Sequence, residues 1–359
     1  MSNPGAKYWD LFEMRIGETI DSLLKNELPN LRRLSLHITS ACNLKCSYCN
    51  EERSPKSLDR RLFSELVREY HEMGGGILHI TGGEPSCVPW LYSDIARLGR
   101  MFPSVQFHLN TNLVTFIPME TLRYIKRLKV SLDSHDAGYF DSLVGIQGSF
   151  YSVLTNLRRI NKLPEDIRPI TSITYTMTRE NLDHIVPFLK MYYNELPNLY
   201  AAFFSAYKGT NERFVFTEES IDHLFNDIKP ELDFLFEAHE DGESKFLFNA
   251  SHDKTTFTAG VRFEDNRHVP CYLQLSELVV NEYGDVANCS HLYRDGTSHT
   301  GDNIADWPLE SVFRRAKKFS VHKVMSGKCL YGCNKKLVTF NKSVLNSLPD
   351  ETYKIDACN

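Results

Sequence analysis

Short apolar runs alternate with longer segments of helical periodicity through the first two thirds of the chain. Six runs rich in β-branched residues predict strands at residues 33–38, 77–81, 105–110, 128–133, 170–177 and 199–204. Between and after them, apolar residues recur at helical spacing at residues 59–73, 90–101, 118–127, 149–161, 181–193 and 217–238. Strands that alternate with helices in this way are typical of parallel βα units.

Six such units are too few to close the eight-stranded barrel of this class. The pattern therefore predicts an α/β fold, a partial (β/α)6 TIM-like barrel of parallel strands that stays open. The carboxyl ends of the strands are the default active face of such a barrel. At the last helix, Thr217 is a suitable N-cap. The carboxylates of Glu218 and Glu219 lie in the first turn, where they interact favourably with the positive end of the helix dipole.

The same pattern divides the chain into four predicted regions. Residues 1–30 contain an amphipathic N-terminal helix at 8–27, and residues 31–239 form the partial barrel. The alternation of strand and helix patterns stops near residue 240, and the polar segment 240–268 is predicted to be a linker. Residues 269–359 are rich in cysteine and are predicted to form a smaller domain.

Composition and charge argue against several classes of partner and location for this protein. The 359 residues carry a formal net charge of −5 and no long basic run, so nucleic acid is not an expected partner. No apolar run approaches the roughly 20 residues that span a bilayer, and no secretion signal is visible at the N-terminus. We therefore expect a cytoplasmic protein without a membrane partner. In that reducing compartment the nine cysteines favour metal binding or catalysis over disulfides.

The first cysteine cluster directly follows the first predicted strand. Cys42, Cys46 and Cys49 lie on one short loop, so their thiolates can converge on one inorganic cluster. A [4Fe–4S] cluster usually takes four cysteine ligands, and three ligands leave one iron open. The alternatives are three unrelated cysteines or a structural zinc site, for which His37 is a conceivable fourth ligand.

The CX3CX2C spacing, with Tyr48 just before the last cysteine, resembles the signature of the radical S-adenosylmethionine (radical SAM) superfamily. One βα unit later, Gly82, Gly83 and Glu84 precede a proline and resemble the GGEP motif of that family. The resemblance implies that the open iron of a [4Fe–4S] cluster binds SAM and splits it into methionine and a 5′-deoxyadenosyl radical. It also implies that the GGEP segment binds the SAM amino group.

Two later strand ends resemble family motifs with substitutions. Asn112 lies in a TNG-like turn in which Leu113 replaces the glycine. Ser131 and Asp133 lie in an SLDG-like turn in which Ser134 replaces the glycine. By this resemblance, Ser131 and Asp133 would face the ribose or carboxylate of SAM, and Tyr48 and Asn112 are also expected to bind SAM. The alternative is that these two turns are ordinary polar strand ends.

An arginine that pairs with the SAM carboxylate follows the SLDG turn in many relatives. Residues 134–157 of this chain contain no Arg or Lys. Arg158 is the first basic residue after the strand and is therefore the candidate substitute.

The C-terminal cysteines resemble a shortened SPASM domain, the twitch form that carries one auxiliary iron–sulfur cluster. Cys271 and Cys289 match the opening of that domain, and Cys329 and Cys333 match its CX3C ending. We expect these four cysteines to bind one auxiliary [4Fe–4S] cluster, with Cys358 as an alternative last ligand. A structural zinc site made of four cysteines is the alternative.

A further cysteine, Cys87, lies two residues after the GGEP segment. A thiol at the mouth of the barrel could return a hydrogen atom to a substrate radical. Free cysteine more often acts as a small apolar residue in packing, and this interpretation stays open.

These observations favour a SAM-dependent oxidoreductase that abstracts hydrogen from a small polar metabolite or a peptide side chain. The auxiliary cluster would accept the remaining electron, and an external donor such as flavodoxin or ferredoxin would supply the first one. The alternatives are a redox-neutral epimerase or isomerase, a maturase of ribosomally made peptides, and a non-catalytic metal-binding scaffold. About 30 residues precede the first strand, too few for a leader-peptide-binding domain, which favours a small molecule or a separately delivered peptide.

Overall fold

The computed structural model describes residues 16–207, 209–238, 246–248, 271–289, 298–324 and 335–349. Its strands form one sheet in the order β10-β9-β8-β1-β2-β3-β4-β5-β6-β7. The strands are β1 Arg33–Thr39, β2 Gly76–Gly82, β3 Val105–Thr111, β4 Ile125–Ser131, β5 Ile170–Met177, β6 Ala201–Ala206, β7 Phe246–Phe248, β8 Glu277–Val280, β9 Asp285–Ala287 and β10 His299–Asn303.

Strands β1 to β6 are neighbours in chain order and all pair in parallel. The sheet has two free edges, so the predicted open partial barrel is confirmed. The largest difference from the predicted strands is at β4, which begins at Ile125 because this buried residue pairs with Phe107. The helix predicted at 118–127 is consequently cut to the single turn Met119–Leu122.

Helices connect the strands of the partial barrel. They are α1 at 16–24, α2 Arg60–Glu72, α3 Leu91–Met101, α4 Met119–Leu122, α5 Ala137–Val144, α6 Ser149–Asn161, α7 Ile185–Glu195, α8 Glu218–His223, α9 Lys229–Glu237, α10 Leu309–Val324 and α11 Lys335–Ser347. Within the described part of the chain, no helix is both long and apolar enough to cross a membrane.

The predicted last helix is interrupted by one wide turn. Thr217 caps α8 as predicted, since its side chain accepts a hydrogen bond from the Ser220 N–H. A π-helical turn over Leu224–Ile228 then joins α8 to α9. Pro230 follows this turn, and its missing N–H explains why a regular helical turn does not continue through it.

The two faces of the sheet differ in polarity. One face packs on the helices through buried apolar side chains such as Leu36, Ile80 and Leu128. The opposite face of β1 to β5, here called the inner face, is largely polar. It carries Arg33, Ser35, His37, His79, Thr81, His108, Asn110, Arg127, Lys129, Ser172 and Thr174.

The sheet continues into the C-terminal part of the chain. Strand β8 pairs in parallel with β1, with Leu278 opposite Leu34, and β9 then pairs antiparallel with β8. One sheet therefore crosses the predicted border between the barrel and the cysteine-rich region. Strand β7 lies within the segment 240–268 that was predicted to be a linker. The division into these four regions stays a prediction.

Candidate active site at the carboxyl ends of the strands

The loop after β1 carries the three cysteines of the CX3CX2C motif. Cys42 and Cys46 are half-buried, and Cys49 is exposed. The three thiols lie close enough to influence each other's charge. Burial raises the pKa of Cys42, and burial together with the charge of Asp133 raises the pKa of Cys46 to about 12. Since metal binding requires thiolates, a cation at this loop would displace tightly held protons.

The geometry of this loop bears on which metal group it fits. Within the described residues, no group of three or more His, Cys, Asp or Glu side chains is placed to hold a single metal ion. A [4Fe–4S] cluster takes one thiolate on each iron and so needs thiols spread around a larger group. Three thiols on one loop fit three of its four irons.

Gly82 and Gly83 hold the end of β2 against the cysteine loop. A Cβ atom at Gly82 would lie 2.3 Å from the Thr39 carbonyl oxygen, and one at Gly83 would lie 2.3 Å from that of Ala41. The Gly83 N–H donates to the Thr39 oxygen at 2.7 Å, and the Glu84 N–H donates to the Ala41 oxygen at 2.7 Å. Because any side chain would clash here, both glycines are needed for this close approach.

The Glu84 carboxylate joins the ends of β2 and β3. The side chain is 1% exposed and accepts hydrogen bonds from the Thr111 hydroxyl at 2.7 Å, the Asn112 N–H at 2.7 Å and the Ser86 N–H at 3.0 Å. Burial raises the pKa of Glu84, and these donors oppose that rise. Contact between Glu84 and the SAM amino group stays a prediction.

Asn112 connects the end of β3 to the cysteine loop. Its side-chain amide donates to Asn43 Oδ1 at 2.7 Å, and its Oδ1 accepts from the Val114 N–H at 3.0 Å. The next residue, Leu113, has φ = 55° and is fully buried. The glycine of the family's turn has thus been replaced while the left-handed backbone that suits glycine is kept.

Asp133 connects β4 to the cysteine loop and to β5. Its carboxylate is 1% exposed and accepts from the Tyr48 hydroxyl at 2.5 Å and from the Thr176 N–H at 2.6 Å. Burial raises the pKa of Asp133 to about 6, although both hydrogen bonds oppose the rise. Ser131 lies exposed at the end of β4. The proposed contacts of Tyr48, Ser131 and Asp133 with SAM stay predictions.

Ser134, at the second replaced glycine, is fully buried. Its hydroxyl lies 2.6 Å from His184 Nδ1 and accepts from the Asp136 N–H at 2.9 Å. The substitution therefore adds a polar link between the turn after β4 and the start of α7, since the His184 residue immediately precedes that helix.

Arg158 is the exception among the predicted SAM-binding residues. It lies near the end of α6, where its guanidinium donates to Glu195 Oε2 at 2.8 and 2.5 Å. Glu195 is the last residue of α7, which leads back to the start of β6. The structure places Arg158 at the opposite end of the barrel from the cysteine loop. The suggested pairing with the SAM carboxylate is corrected accordingly.

Cys87 lies beside the cysteine loop, in the short 3-10 turn Pro85–Cys87. Burial and the charges of Glu84 and Cys42 raise its pKa, while a hydrogen bond from the Asn43 backbone lowers it. A fourth thiol is therefore present near the other three. Its role as a hydrogen donor stays a prediction.

The described C-terminal cysteines are brought together at the other end of the sheet. Cys271 precedes β8 and Cys289 follows β9, and both act on the charge of the buried Lys317. The Lys317 ammonium donates to the Glu277 carbonyl oxygen and, at 2.8 Å, to Asn288 Oδ1. The remaining predicted ligands, Cys329, Cys333 and Cys358, lie outside the described residues.

Three polar residues of the site were not predicted: Asn43, Thr111 and Thr176. Each bonds a predicted site residue on a different strand or loop. The sequence signal for Thr111 and Thr176 is a polar residue at the carboxyl end of an apolar strand. Asn43 carries no comparable signal, because its contact with Asn112 spans 69 positions of the chain.

A separate cleft of about 390 Å³ lies between α2 and the start of α10. Leu28, Arg68, Glu69 and Phe313 are among its lining residues. None of the residues of the cysteine loop or the strand ends lines it, so it does not belong to the candidate site.

Comparison with known proteins identifies the barrel. The radical SAM superfamily matches residues 36–192, which include the cysteine loop and the ends of β2, β3 and β4. An AdoMet-dependent heme synthase of Oleidesulfovibrio alaskensis is 25% identical over 185 residues, 50% of this chain and 46% of the relative. The chain thus spans about half the length of that relative. The subtilosin biosynthesis protein AlbA of Bacillus subtilis is 24% identical over 346 residues, 90% of this chain and 72% of AlbA.

Solved structures share the fold at low sequence identity. SuiB of Streptococcus suis bound to S-adenosylmethionine superposes with a TM-score of 0.59 at 16% identity, over 85% of this chain and 70% of SuiB. The anSMEcpe protein with bound AdoMet gives a TM-score of 0.60 at 16% identity, over 90% of this chain and 97% of that protein. The match to residues 36–192 shows that the chain carries a radical SAM domain, and the solved structures share its fold.

Proposed function

We propose that this chain cleaves SAM reductively and uses the resulting radical to oxidise a peptide side chain. The observation that carries the radical chemistry is the convergence of three thiols on one loop. Hydrogen bonds tie that loop to the ends of β2, β3 and β4. Cys42, Cys46 and Cys49 would hold a [4Fe–4S] cluster, which, when bound, supplies the open iron that holds SAM and passes it an electron.

A peptide is proposed as the substrate because of the share of this chain that aligns with each relative. AlbA, named for biosynthesis of the bacteriocin subtilosin, aligns with 90% of this chain, whereas the heme synthase aligns with 50%. SuiB, which also covers 92% of this chain in its complex with the precursor peptide SuiA, has the same fold. These relatives favour a ribosomally made peptide over the small polar metabolite that the sequence equally allowed.

The proposed reaction balances as a two-electron oxidation. One electron from an external donor such as flavodoxin or ferredoxin breaks a C–S bond of SAM, giving methionine and the 5′-deoxyadenosyl radical. That radical takes a hydrogen atom from a substrate C–H bond and becomes 5′-deoxyadenosine. The substrate radical then loses one electron and forms a new bond with loss of a proton. Cys271, Cys289, Cys329 and Cys333 would hold an auxiliary cluster, which, when bound, would accept this second electron.

The test is SAM cleavage by the anaerobically reconstituted protein with dithionite. We expect 5′-deoxyadenosine to form slowly without added substrate. Replacement of Cys42, Cys46 and Cys49 by alanine should abolish it, while Ser47→Ala on the same loop should retain it. The absence of product above background from the wild-type protein would contradict the proposal.

The same triple variant tests the auxiliary cluster. It should keep about four irons, because one [4Fe–4S] cluster would remain on the C-terminal cysteines. Electron paramagnetic resonance of the reduced variant should give one cluster signal, whereas a zinc site would be silent. If this variant contained no iron, the auxiliary cluster would be ruled out. The proposed cluster on Cys42, Cys46 and Cys49 would not be contradicted by that result.

A redox-neutral epimerase is the second candidate, because Cys87 lies beside the cysteine loop. Return of a hydrogen atom from a thiol would place solvent deuterium on the substrate carbon, whereas oxidation would not introduce solvent deuterium there. Mass spectrometry of a substrate turned over in deuterated water distinguishes the two, and Cys87→Ala should remove deuterium incorporation only in the epimerase case.

A further inference from the structure

The inner face of the barrel is crowded with basic side chains. Arg33, His79 and His108 lie on three neighbouring strands, and the register places His108 opposite Arg127 on the next strand. Lys129 lies two residues beyond Arg127 on the same face. Burial and the charges of Arg33, His108 and Lys129 lower the pKa of His79. The positive charge of this face is therefore concentrated on Arg33, Arg127 and Lys129.

Lys129 is a cation without a counterion in the described structure. Its ammonium lies 5.7 Å from the centre of the Phe203 ring, and it forms no hydrogen bond or ion pair. Burial and the like charges of Arg127 and Arg33 lower the pKa of Lys129 to about 8. Placing a half-buried ammonium among like charges costs free energy, and the contact with the Phe203 ring is the described interaction that offsets it.

Lys317 is a buried lysine of the same protein whose ammonium does have hydrogen-bond acceptors. It is 1% exposed, and its ammonium donates to the Glu277 carbonyl oxygen and to Asn288 Oδ1. Packing alone therefore does not explain Lys129, which is half-buried and has no such acceptor among the described residues.

Two further donors near Lys129 also lack acceptors. Arg33 contacts His79 Nδ1 at 3.2 Å and Glu277 at 3.8 Å, but its Nε atom is buried without a hydrogen-bond partner. The hydroxyl of Thr174 is likewise buried without a partner, and Thr174 pairs in register with Ser131, two residues beyond Lys129. Unsatisfied buried polar atoms are uncommon, and each needs an explanation such as a water, an ion or a ligand bound there.

We propose that Lys129, with Arg33 and the hydroxyl of Thr174, binds an anionic group of the substrate, a carboxylate or a phosphate. Lys129 lies about 7 Å along β4 from Ser131 at the strand's carboxyl end, at about 3.3 Å per residue. The anion would thus lie on the inner face, below the edge where the cysteine loop is. The inference rests on the proposed function and names the class of its substrate.

Calorimetric titration of the reconstituted protein at low ionic strength tests this site, because salt screens such contacts. The probes are inorganic phosphate, glutarate and the neutral analogue 1,5-pentanediol. We expect at least one of the two anions to bind and the diol not to bind. Binding of phosphate alone or glutarate alone identifies the preferred anion.

Lys129→Gln should weaken anion binding at least tenfold. Lys126→Gln is the matched control, because Lys126 lies exposed on the same strand. Equal affinity in Lys129→Gln and the wild-type protein, or no binding of either anion to the wild-type protein, would overturn the proposal.

A labelling experiment on the wild-type protein covers the case in which Lys129→Gln does not fold. An amine-reactive acetylating reagent at pH 8 should modify Lys129, and the bound anion should slow that reaction without slowing the one at Lys126. Formation of 5′-deoxyadenosine is measured on the same preparation. Cleavage of SAM without anion protection refutes this site alone, and protection without cleavage refutes the proposed function.

Discussion

At the scale of single residues, the candidate site depends on carboxylates that receive donors from several strands. Glu84 takes donors from its own turn and from the end of β3, and Asp133 takes them from the cysteine loop and from β5. Both side chains are almost fully buried. Removal of either would leave buried donors without an acceptor, which costs about 1–3 kcal/mol for each such group.

Leu113 offers a direct test of how the chain uses a left-handed residue. Leu113→Gly relieves about 1–2 kcal/mol of backbone strain but loses a buried side chain worth about 2–5 kcal/mol. Leu113→Ala loses the side chain and keeps the strain. We therefore expect both variants to be less stable than the wild-type protein and Leu113→Ala to have the lower Tm in thermal unfolding. The reverse order would mean that strain at this position is negligible.

The contrast between Cys42 and Arg158 explains which site residues the sequence could reveal. The three predicted cysteine ligands lie within eight positions of the chain, so their spacing alone predicts the loop. Arg158 was chosen because it is the first basic residue after β4, yet nine residues of helix α6 carry it to the other end of the barrel. The sequence does not single out Lys129, because the charges that surround it come from neighbouring strands, whose pairing is known only from the fold.

At the scale of elements, the end of β2 supports the cysteine loop through backbone contact. A Cβ atom at Gly83 would lie 2.3 Å from the Ala41 carbonyl oxygen, so Gly83→Ala must push the loop away. We expect a loss of about 1–3 kcal/mol in the free energy of unfolding. The iron bound per chain should fall as well, because Cys42 follows Ala41 directly.

Gly17→Ala is the matched control for that variant. Gly17 is exposed in α1, and a Cβ atom there meets nothing within 4 Å. Alanine at this helical position should leave stability unchanged or raise it by about 0.5–1 kcal/mol. Chemical denaturation and iron analysis of both variants check the pair, and equal iron content in Gly83→Ala and Gly17→Ala would contradict the role given to Gly83.

Element boundaries followed the sequence pattern where periodicity was strong. Helix α6 spans Ser149–Asn161, as predicted. Helix α5, Ala137–Val144, was missed because it is short and contains a glycine, and its start depends on the Asp136 side chain that accepts from the Tyr139 N–H. Such local caps and the tertiary pairing of Ile125 are weak signals in a single sequence.

At the scale of the whole molecule, the continuous sheet makes the barrel depend on its C-terminal part. A variant ending at residue 268 would lack β8 and leave the β1 edge unpaired. Exposed strand edges favour aggregation. We expect this variant to elute as larger species in size-exclusion chromatography and to unfold at a lower Tm than the full chain. A monomeric variant with an unchanged Tm would instead indicate an independent barrel domain.

Strand β1 separates the two described groups of thiols. Cys42 follows its carboxyl end, while Cys289 lies level with its first residues, through the pairing of β9 with β8 and of β8 with β1. Seven residues of strand extend about 20 Å. Each thiol group therefore opens on its own side of the protein, so a bulky reagent or a redox protein docked at one end does not obstruct the other. In the proposed reaction, an electron donor at one end and an electron acceptor at the other would then not compete for the same surface.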